Sequence, residues 1–368
     1  MHFKEVIGQQ AVKEQLWHSR SDDRVSHAQL FLGNLGYGGL ALALAYAQLV
    51  NCSQPYSGDS CGKCLSCQRS RKLVHPDIHF CYPTIGSKAI STQFIGEWRN
   101  MVQKSPYFDA YEWLQHLNAD NKQGNITAEE CDDIVRKLSM TAHDEQSYKI
   151  LIVWLPEYLG KEGNRLLKLI EEPPDQTLFL LVAENADLIL NTILSRSQML
   201  KIPRLRDEDI AQSLEQQRLL GAEQSRQVAA LANGDYREAL AIMKGGDHDN
   251  QQYLLRWLTA CVHHNAADLD AFVEQIADVG RESQKNFLRY VLHFWQQCLM
   301  AQHLSHRAVL SKAEAVFAQR LLPAITWEHI DSISEMTEKS IYHIERNANP
   351  RILFLDLSIR LQRYLPKW

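Results

Sequence analysis

The chain has 368 residues, 45% of them hydrophobic and 23% charged, an ordinary globular composition at a length suited to two or three domains. Lys plus Arg number 39 against 44 Asp plus Glu, a formal net charge of -5, which excludes a protein that grips nucleic acid by bulk positive charge; any DNA contact should be local or made through partners. The longest apolar stretch, Gly38 to Val50, falls short of the ~18–20 residues a membrane helix needs, and Met1 to Val6 hold no signal-peptide core, so a soluble cytoplasmic chain is the expectation.

Residues 27–33 (His-Ala-Gln-Leu-Phe-Leu-Gly) form a short apolar run that ends at glycine. A Gly-rich turn and an Ala/Leu-rich helix from about Leu40 to Leu49 follow. Strand, glycine loop and helix in that order predict the front half of a parallel βαβ unit. Lys149 to Trp154 and Thr177 to Val182 are apolar almost without a break, as strands covered on both faces should be. Between them, a helix is expected through Asn164 to Ile170, stopped by Pro173-Pro174. A fourth short strand is expected near Gln198 to Ile202, ending at Pro203. Beyond about Asp207 the spacing turns helical: Leu254, Leu258 and Cys261; Phe287, Val291, Phe294 and Cys298; Ile352, Leu355 and Ile359. Gly245-Gly246-Asp247 is a plausible linker. The expected organisation is a parallel α/β core over 1–204, a small helical domain over 205–246 and a larger helical domain over 247–368. The polar, Trp-containing stretch from about Gln93 to Asn125 has no assignment.

The glycine loop runs Gly33-Asn34-Leu35-Gly36-Tyr37-Gly38-Gly39-Leu40. A phosphate-binding loop needs glycines so that backbone N–H groups can cradle phosphates, a Lys for the β/γ-phosphates and a Ser or Thr for Mg²⁺. Aligned from Gly33, the second required glycine falls at Gly38, but Gly39 stands in the lysine position and Leu40 in the hydroxyl position. Two readings stay open: a turn whose helix N-terminus holds an anion weakly, or a tight strand-to-helix turn with no ligand. The second strand should carry the acids that hold Mg²⁺ in a P-loop ATPase, yet it ends Trp154-Leu155-Pro156-Glu157, leaving only Glu157. The inference is a P-loop fold without ATPase chemistry.

Of eight cysteines, Cys52, Cys61, Cys64 and Cys67 fall within sixteen residues, and Cys81, Cys131, Cys261 and Cys298 are scattered. Four thiolates spaced Cys52-x8-Cys61-x2-Cys64-x2-Cys67 can close a tetrahedral zinc site that gives folding energy to an insertion too small for its own core. The alternatives are reduced cysteines without metal, or an iron–sulfur cluster, whose usual run continues x3-Cys-Pro where Arg71-Lys72 stand here. Catalytic zinc does not suit four thiolates, which leave no open coordination position. His75 and His79 read as structural or surface residues. Ser195-Arg196-Ser197 precedes the last core strand, and Arg196, following Leu190, Ile193 and Leu194, should be fixed in orientation.

Taken together, these residues resemble the clamp-loader branch of AAA+ proteins in bacterial DNA polymerase III. The resemblance is carried by Glu5-Val6-Ile7-Gly8-Gln9-Gln10, by His27 to Phe31 leading into the glycine loop, and by the cysteine spacing followed by His75-Pro76-Asp77. It is closest over Asn164 to Phe179, with Leu166-Leu167-Lys168 and Glu171-Glu172-Pro173-Pro174. Ser195-Arg196-Ser197 stands where the family has Ser-Arg-Cys, and Gly234 to Leu240 resembles its lid motif. The resemblance implies an AAA+ core with a zinc module at 52–67, a helical lid over 205–246 and an all-α collar over 247–368. It implies a degenerate phosphate loop at Gly33, Gly36, Gly38 and Gly39, with no functional ATP site, and structural zinc on Cys52, Cys61, Cys64 and Cys67. Gamma/tau-type members hydrolyse ATP and delta-prime-type members have a degraded site; Gly39 and the missing strand acids put this chain on the delta-prime side. Arg196 is then a finger offered in trans to the ATP of a neighbouring subunit. The implied partners are gamma/tau-type and delta-type subunits, with the sliding clamp and primed DNA reached through the assembly. An active ATPase with an unorthodox loop and a DNA-binding zinc protein acting alone are the other readings.

Overall fold

The computed structural model describes residues 1–118, 124–143, 147–245, 247–303, 310, 312–346 and 348–366. The chain divides into two compact units, Met1–Glu238 and Ala239–Trp368. The first is built on a five-stranded parallel sheet in the order β2-β3-β4-β1-β5. The strands are β1 (Ala28–Leu32), β2 (Ile78–Cys81), β3 (Lys149–Trp154), β4 (Thr177–Ala183) and β5 (Gln198–Lys201). All six residues of β3 and all seven of β4 are buried, which is why their sequences run apolar without alternation. β1 lies between β4 and β5, so the turn that leaves it opens at the carboxyl edge of the sheet interior.

Four strands fall where the sequence predicts them; β2 is the addition. Its Ile-His-Phe-Cys stretch is too short, and too polar at His79, to signal a strand by itself. It pairs in parallel with β3 on one side only. The helices of this unit are α1 (Gln10–Ser21), α2 (Gly39–Val50), α3 (Leu65–Arg71), α4 (Ile95–Lys104), α5 (Ala110–His116), α6 (Ala128–Ser139), α7 (Leu167–Glu171), α8 (Asn191–Leu194), α9 (Asp207–Gln216) and α10 (Ala222–Leu231); α11 (Tyr236–Gly245) begins in it. α2 is buried along its whole length, which accounts for its Ala/Leu composition. The expected helix over Asn164 to Ile170 is shorter. Tight 3-10 turns run over Pro156–Leu166, with Gly160 at φ +47° breaking them, and α-helical geometry holds only from Leu167. Lys149 opens β3 as a buried cation. Its Nζ donates to the carbonyls of Leu138 and Met140 at 2.7 and 3.1 Å, filling acceptors left over at the end of α6.

The stretch left unassigned by sequence holds α4 and α5, apart from residues 119–123, which lie outside the described residues. Its purpose in the fold is aromatic. Trp98 stacks on Tyr82 at 4.1 Å, and Trp113 meets Tyr82 edge-on at 5.1 Å while donating its Nε1–H to the Pro83 carbonyl at 2.7 Å.

The second unit is helical throughout its described residues: α12 (Asp247–Val262), α13 (Ala266–Asp278), α14 (Arg281–His303), α15 (Lys312–Leu321), α16 (Trp327–Glu345) and α17 (Pro350–Leu361). Of the expected linker, Gly246 lies outside the described residues; Gly245 ends α11 and Asp247 begins α12. Leu254, Leu258, Cys261, Phe287, Val291, Phe294 and Cys298 are buried in one core. Ile352, Leu355 and Ile359 are not: they are 68%, 43% and 48% exposed, and α17 buries its other face through Phe354, Leu357 and Leu361. Both faces of α17 are apolar, so spacing alone cannot select the inner one. Removing the Leu357 side chain should cost about 2–5 kcal/mol by leaving a cavity, whereas Ile352→Ser should change stability by less than about 0.5 kcal/mol. Equilibrium denaturation of the two variants checks this.

Candidate functional site

The turn after β1 is held by hydrogen bonds to its own residues, to the end of β4 and to Glu184. The Gly33 N–H donates to the Ala183 carbonyl at 3.0 Å and the Leu35 N–H to Glu184 Oε1 at 3.2 Å. The Gly36 N–H donates to Asn34 Oδ1 at 2.9 Å, the Tyr37 N–H to the Asn34 carbonyl at 2.9 Å, and the Gly38 N–H to the Leu35 carbonyl at 3.4 Å. Gly38 sits at φ +94°, a left-handed turn that suits glycine, and Gly39 opens α2. The N–H groups of Gly33, Leu35, Gly36, Tyr37 and Gly38 are therefore already bonded within the chain.

Gly36 has a packing reason to lack a side chain. A Cβ there would stand 1.7 Å from Asp235 Oδ1, and one on Gly38 would stand 3.1 Å from Tyr107 Cε1. Asp235 also accepts the Glu238 N–H at 3.0 Å, and its other oxygen lies 3.6 Å from Arg237 Nη2. The second partner of Arg237 is Asp109. Local sequence carries no signal for Tyr107 or Asp109; Asp235 and Arg237 sit in the quoted Gly234 to Leu240 motif, but only the fold reveals what they face.

At the end of β3, Trp154 is fully buried and packs against Phe108 and Trp98 at 4.9 and 5.4 Å. Glu157, the one acid left there, turns toward β4. Its Oε1 accepts the N–H groups of Glu184 and Asn185 at 2.6 and 2.9 Å, and its Oε2 is buried with no hydrogen-bond partner. Burial pushes the Glu157 carboxyl above the usual carboxylate range, against the pull of those two N–H donors. Glu184 is raised for the same reason, against the N–H of Leu35.

The four clustered cysteines converge, with their Sγ atoms all within 4.8 Å of one another. Cys61 and Cys67 Sγ are 3.9 Å apart, close to the roughly 3.8 Å edge of a tetrahedron with ~2.3 Å zinc–sulfur bonds. Backbone N–H groups point at the sulfurs: Cys61 to Cys52 at 3.2 Å, Lys63 and Cys64 to Cys61 at 3.4 Å, and Cys67 to Cys64 at 3.4 Å. Such donors stabilise thiolate charge, and the set fits a metal ion of zinc's size and softness. Gly62 takes φ +70° beneath the His2 ring, and the N–H groups of Phe3 and Lys4 donate to Asp59 at 3.1 and 3.2 Å, tying the module to the start of the chain. His75 is buried, with Ser66 Oγ 3.1 Å from its Nε2 and the Asp77 N–H donating to its Nδ1 at 3.2 Å; His79 lies in β2. Neither belongs to the metal-ligand cluster found among the described residues. The scattered Cys81, Cys131, Cys261 and Cys298 are buried in the cores, and burial pushes the last two thiols up to about 12.

Arg196 follows α8 and is held as a fork. Its Nη1 donates to the Thr192 carbonyl at 2.8 Å and to Ser195 Oγ at 3.2 Å, and its Nη2 pairs with Glu171 Oε1 at 2.5 Å. The side chain stays 35% exposed, so the guanidinium is oriented without being sealed in. Glu171, at the end of α7, is the partner sequence reading missed.

A parallel sheet with a glycine turn after its first strand, a four-cysteine metal-ligand cluster and an oriented arginine define an α/β protein built around a phosphate-loop-like turn. Residues 8–206 match the protein family described as DNA polymerase III, delta subunit, and with more than half of its length matched the chain belongs to that family. The tau subunit of DNA polymerase III from Bacillus subtilis (strain 168) is 22% identical over 378 residues, covering 96% of this chain and 60% of that protein. Subunit delta' from the same strain is 27% identical over 209 residues, covering 57% and 52%. Subunit delta' from Escherichia coli (strain K12) is 21% identical over 358 residues, covering 96% and 93%. The chain spans little more than half the length of the two Bacillus relatives. Its sequence resemblance to a clamp-loader-type DNA polymerase III subunit thus holds. No helix among the described residues is long and apolar enough to cross a membrane.

The raised Glu157 carboxyl sets a pH dependence. Between the unfolded value of ~4.3 and the higher folded value, the native state binds more protons, so this group's contribution to stability falls as pH rises through that window. Glu157→Gln keeps an acceptor for both N–H groups and removes the titration. Denaturation midpoints measured from about pH 4.5 to 7 should fall less steeply for the variant than for the parent chain.

Proposed function

We propose that this chain is a non-hydrolysing, delta-prime-type subunit of a cytoplasmic DNA polymerase III clamp loader, built as an AAA+ core with a lid over 205–246 and a collar over 247–368. The observation that carries the reading is the β1 turn: Gly39 and Leu40 supply neither cation nor Mg²⁺ hydroxyl, and the N–H groups of Gly33, Leu35, Gly36, Tyr37 and Gly38 are bonded internally. Trp154 at the end of β3 supports it, filling with an indole the place where an ATPase carries acids. Relatives named as delta' and as tau or gamma subunits are compatible with assembly beside gamma/tau-type and delta-type chains, with clamp and primed DNA reached through the complex. The exposed Ile352, Leu355 and Ile359 suit a collar helix that packs against other subunits.

Arg196 is the residue offered to a neighbour. A guanidinium already oriented by Thr192, Ser195 and Glu171 can meet the γ-phosphate of an adjacent ATP site, where such a contact is worth ~10³–10⁵ in rate. The chain alone should turn over no ATP. In the reconstituted complex, Arg196→Ala should leave assembly intact and lower clamp- and DNA-stimulated ATP turnover by at least tenfold, with Arg196→Lys recovering only part, since an ammonium lacks the planar fork. Full turnover in Arg196→Ala complexes would return the arginine to an ordinary surface role.

Cys52, Cys61, Cys64 and Cys67 hold a structural zinc in this reading, and the metal supplies cross-linking, not chemistry. Elemental analysis should find close to one zinc per chain. Cys64→Ser should lose most of that zinc and loosen residues 52–71, with the sheet retained by circular dichroism. Full occupancy in Cys64→Ser would mean that the ligands are others.

A further inference from the structure

Residues 105–109 join α4 to α5, inside the stretch to which sequence assigned nothing. Three successive side chains there reach three different neighbourhoods. Tyr107 is buried against the phosphate-loop turn, its ring beside Gly38 and edge-on to Tyr236 at 5.0 Å. Its hydroxyl oxygen accepts the Ile7 N–H at 3.0 Å. Phe108 turns the other way, into the aromatic cluster, 4.9 Å from Trp154 and 5.7 Å from Trp98. Asp109 pairs with Arg237 through one oxygen and caps α5 with the other, accepting the Glu112 N–H at 2.7 Å.

A nucleoside triphosphate bound at such a turn needs backbone donors for its phosphates, a cation for their charge, and an apolar slot with a polar edge for its base. The polypeptide already fills the slot and pairs the cation, and it takes up five of the turn's donors. The N–H groups of Gly33, Leu35, Gly36, Tyr37 and Gly38 end on Asn34, Leu35, Ala183 and Glu184. The cation, Arg237, lies between Asp109 and Asp235. The flat slot between Gly38, Tyr236 and Ile7 holds a phenol. We propose that Tyr107 and Asp109 are the built-in occupant of the turn, a ring and a carboxylate that close this chain to nucleotides and pin the turn to the start of α11 without any ligand. Phe108 anchors the occupant, because swinging Tyr107 and Asp109 out would drag it from the aromatic cluster. The carboxylates of Asp109 and Asp235 add repulsion toward a polyphosphate. The proposal builds on the reading of this turn as a relic phosphate loop, but it concerns binding, not turnover.

The test is calorimetric titration of Mg²⁺–ATP into four full-length proteins: the parent chain, Gly39→Lys/Leu40→Thr, Tyr107→Ala/Asp109→Ala, and the combination of all four substitutions. A Cβ on Gly39 meets Val182 Cγ1 at 3.2 Å, so the lysine requires Val182 to give by a few tenths of an ångström. The parent and the loop-restored double variant should show no binding. The fourfold variant should bind at least tenfold more tightly than the loop-restored double. Binding by the parent, equal binding by the loop-restored double and the fourfold variant, or a folded fourfold variant that stays silent would each overturn the proposal. Because turnover is not read, ATP binding by the parent would remove the occupant and leave the non-hydrolysing reading intact. Should the alanine variants fail to fold, Tyr107→Phe deletes only the hydroxyl. Amide exchange at Ile7 should then quicken about tenfold, with the parent's exchange at residues 7 and 33–39 unchanged by added ATP. Unaltered Ile7 exchange in Tyr107→Phe, or protection of the parent by ATP, would count against the occupant.

Discussion

The Asp109–Arg237 ion pair joins two parts of the first unit that are far apart in sequence, and much of the local geometry depends on it. Arg237 is three-quarters covered, and a guanidinium so enclosed needs anionic partners to offset its lost hydration. Asp109 meets that need from the connection between α4 and α5, and Asp235 from just before α11. Asp235 in turn lies so near the β1 turn that only glycine fits at position 36. The glycine at position 36 therefore serves close packing.

Much of the fold was legible before any coordinates. β3 and β4 are buried on both faces, so hydrophobicity alone locates them, and the run ending at Gly33 locates β1. β2 escaped because four residues containing a histidine carry too little pattern, although its pairing with β3 is continuous. The 3-10 turns before α7 escaped for another reason. Leu166, Leu167 and Lys168 are good helix formers, but Gly160 and the close packing of Gly163 on Ile193 and Leu190 decide the backbone there. On α17, apolar residues occupy both faces, so tertiary packing chose between them.

The candidate sites divide in the same way. The cysteine cluster was legible because its ligands are close in sequence, and spacing there stands in for distance. That Gly39 and Leu40 carry neither a cation nor a hydroxyl was equally plain. Tyr107, Asp109 and Glu171 were not, since each acquires its meaning from a partner remote in the chain: Ile7, Arg237 and Arg196. Long-range pairings of that kind leave no local periodicity to read.

The β5 edge of the sheet bears on how the first unit can meet other chains. β5 pairs with β1 on one side and offers only four residues on the other, three of them exposed, with Lys201 at its end and Pro203, which has no N–H to donate, just beyond. An edge so short and abruptly ended is a poor template for an added strand. A chain that meets the unit at this edge is therefore gripped through side chains, where recognition is specific, and not through a backbone ladder that would accept almost any extended peptide.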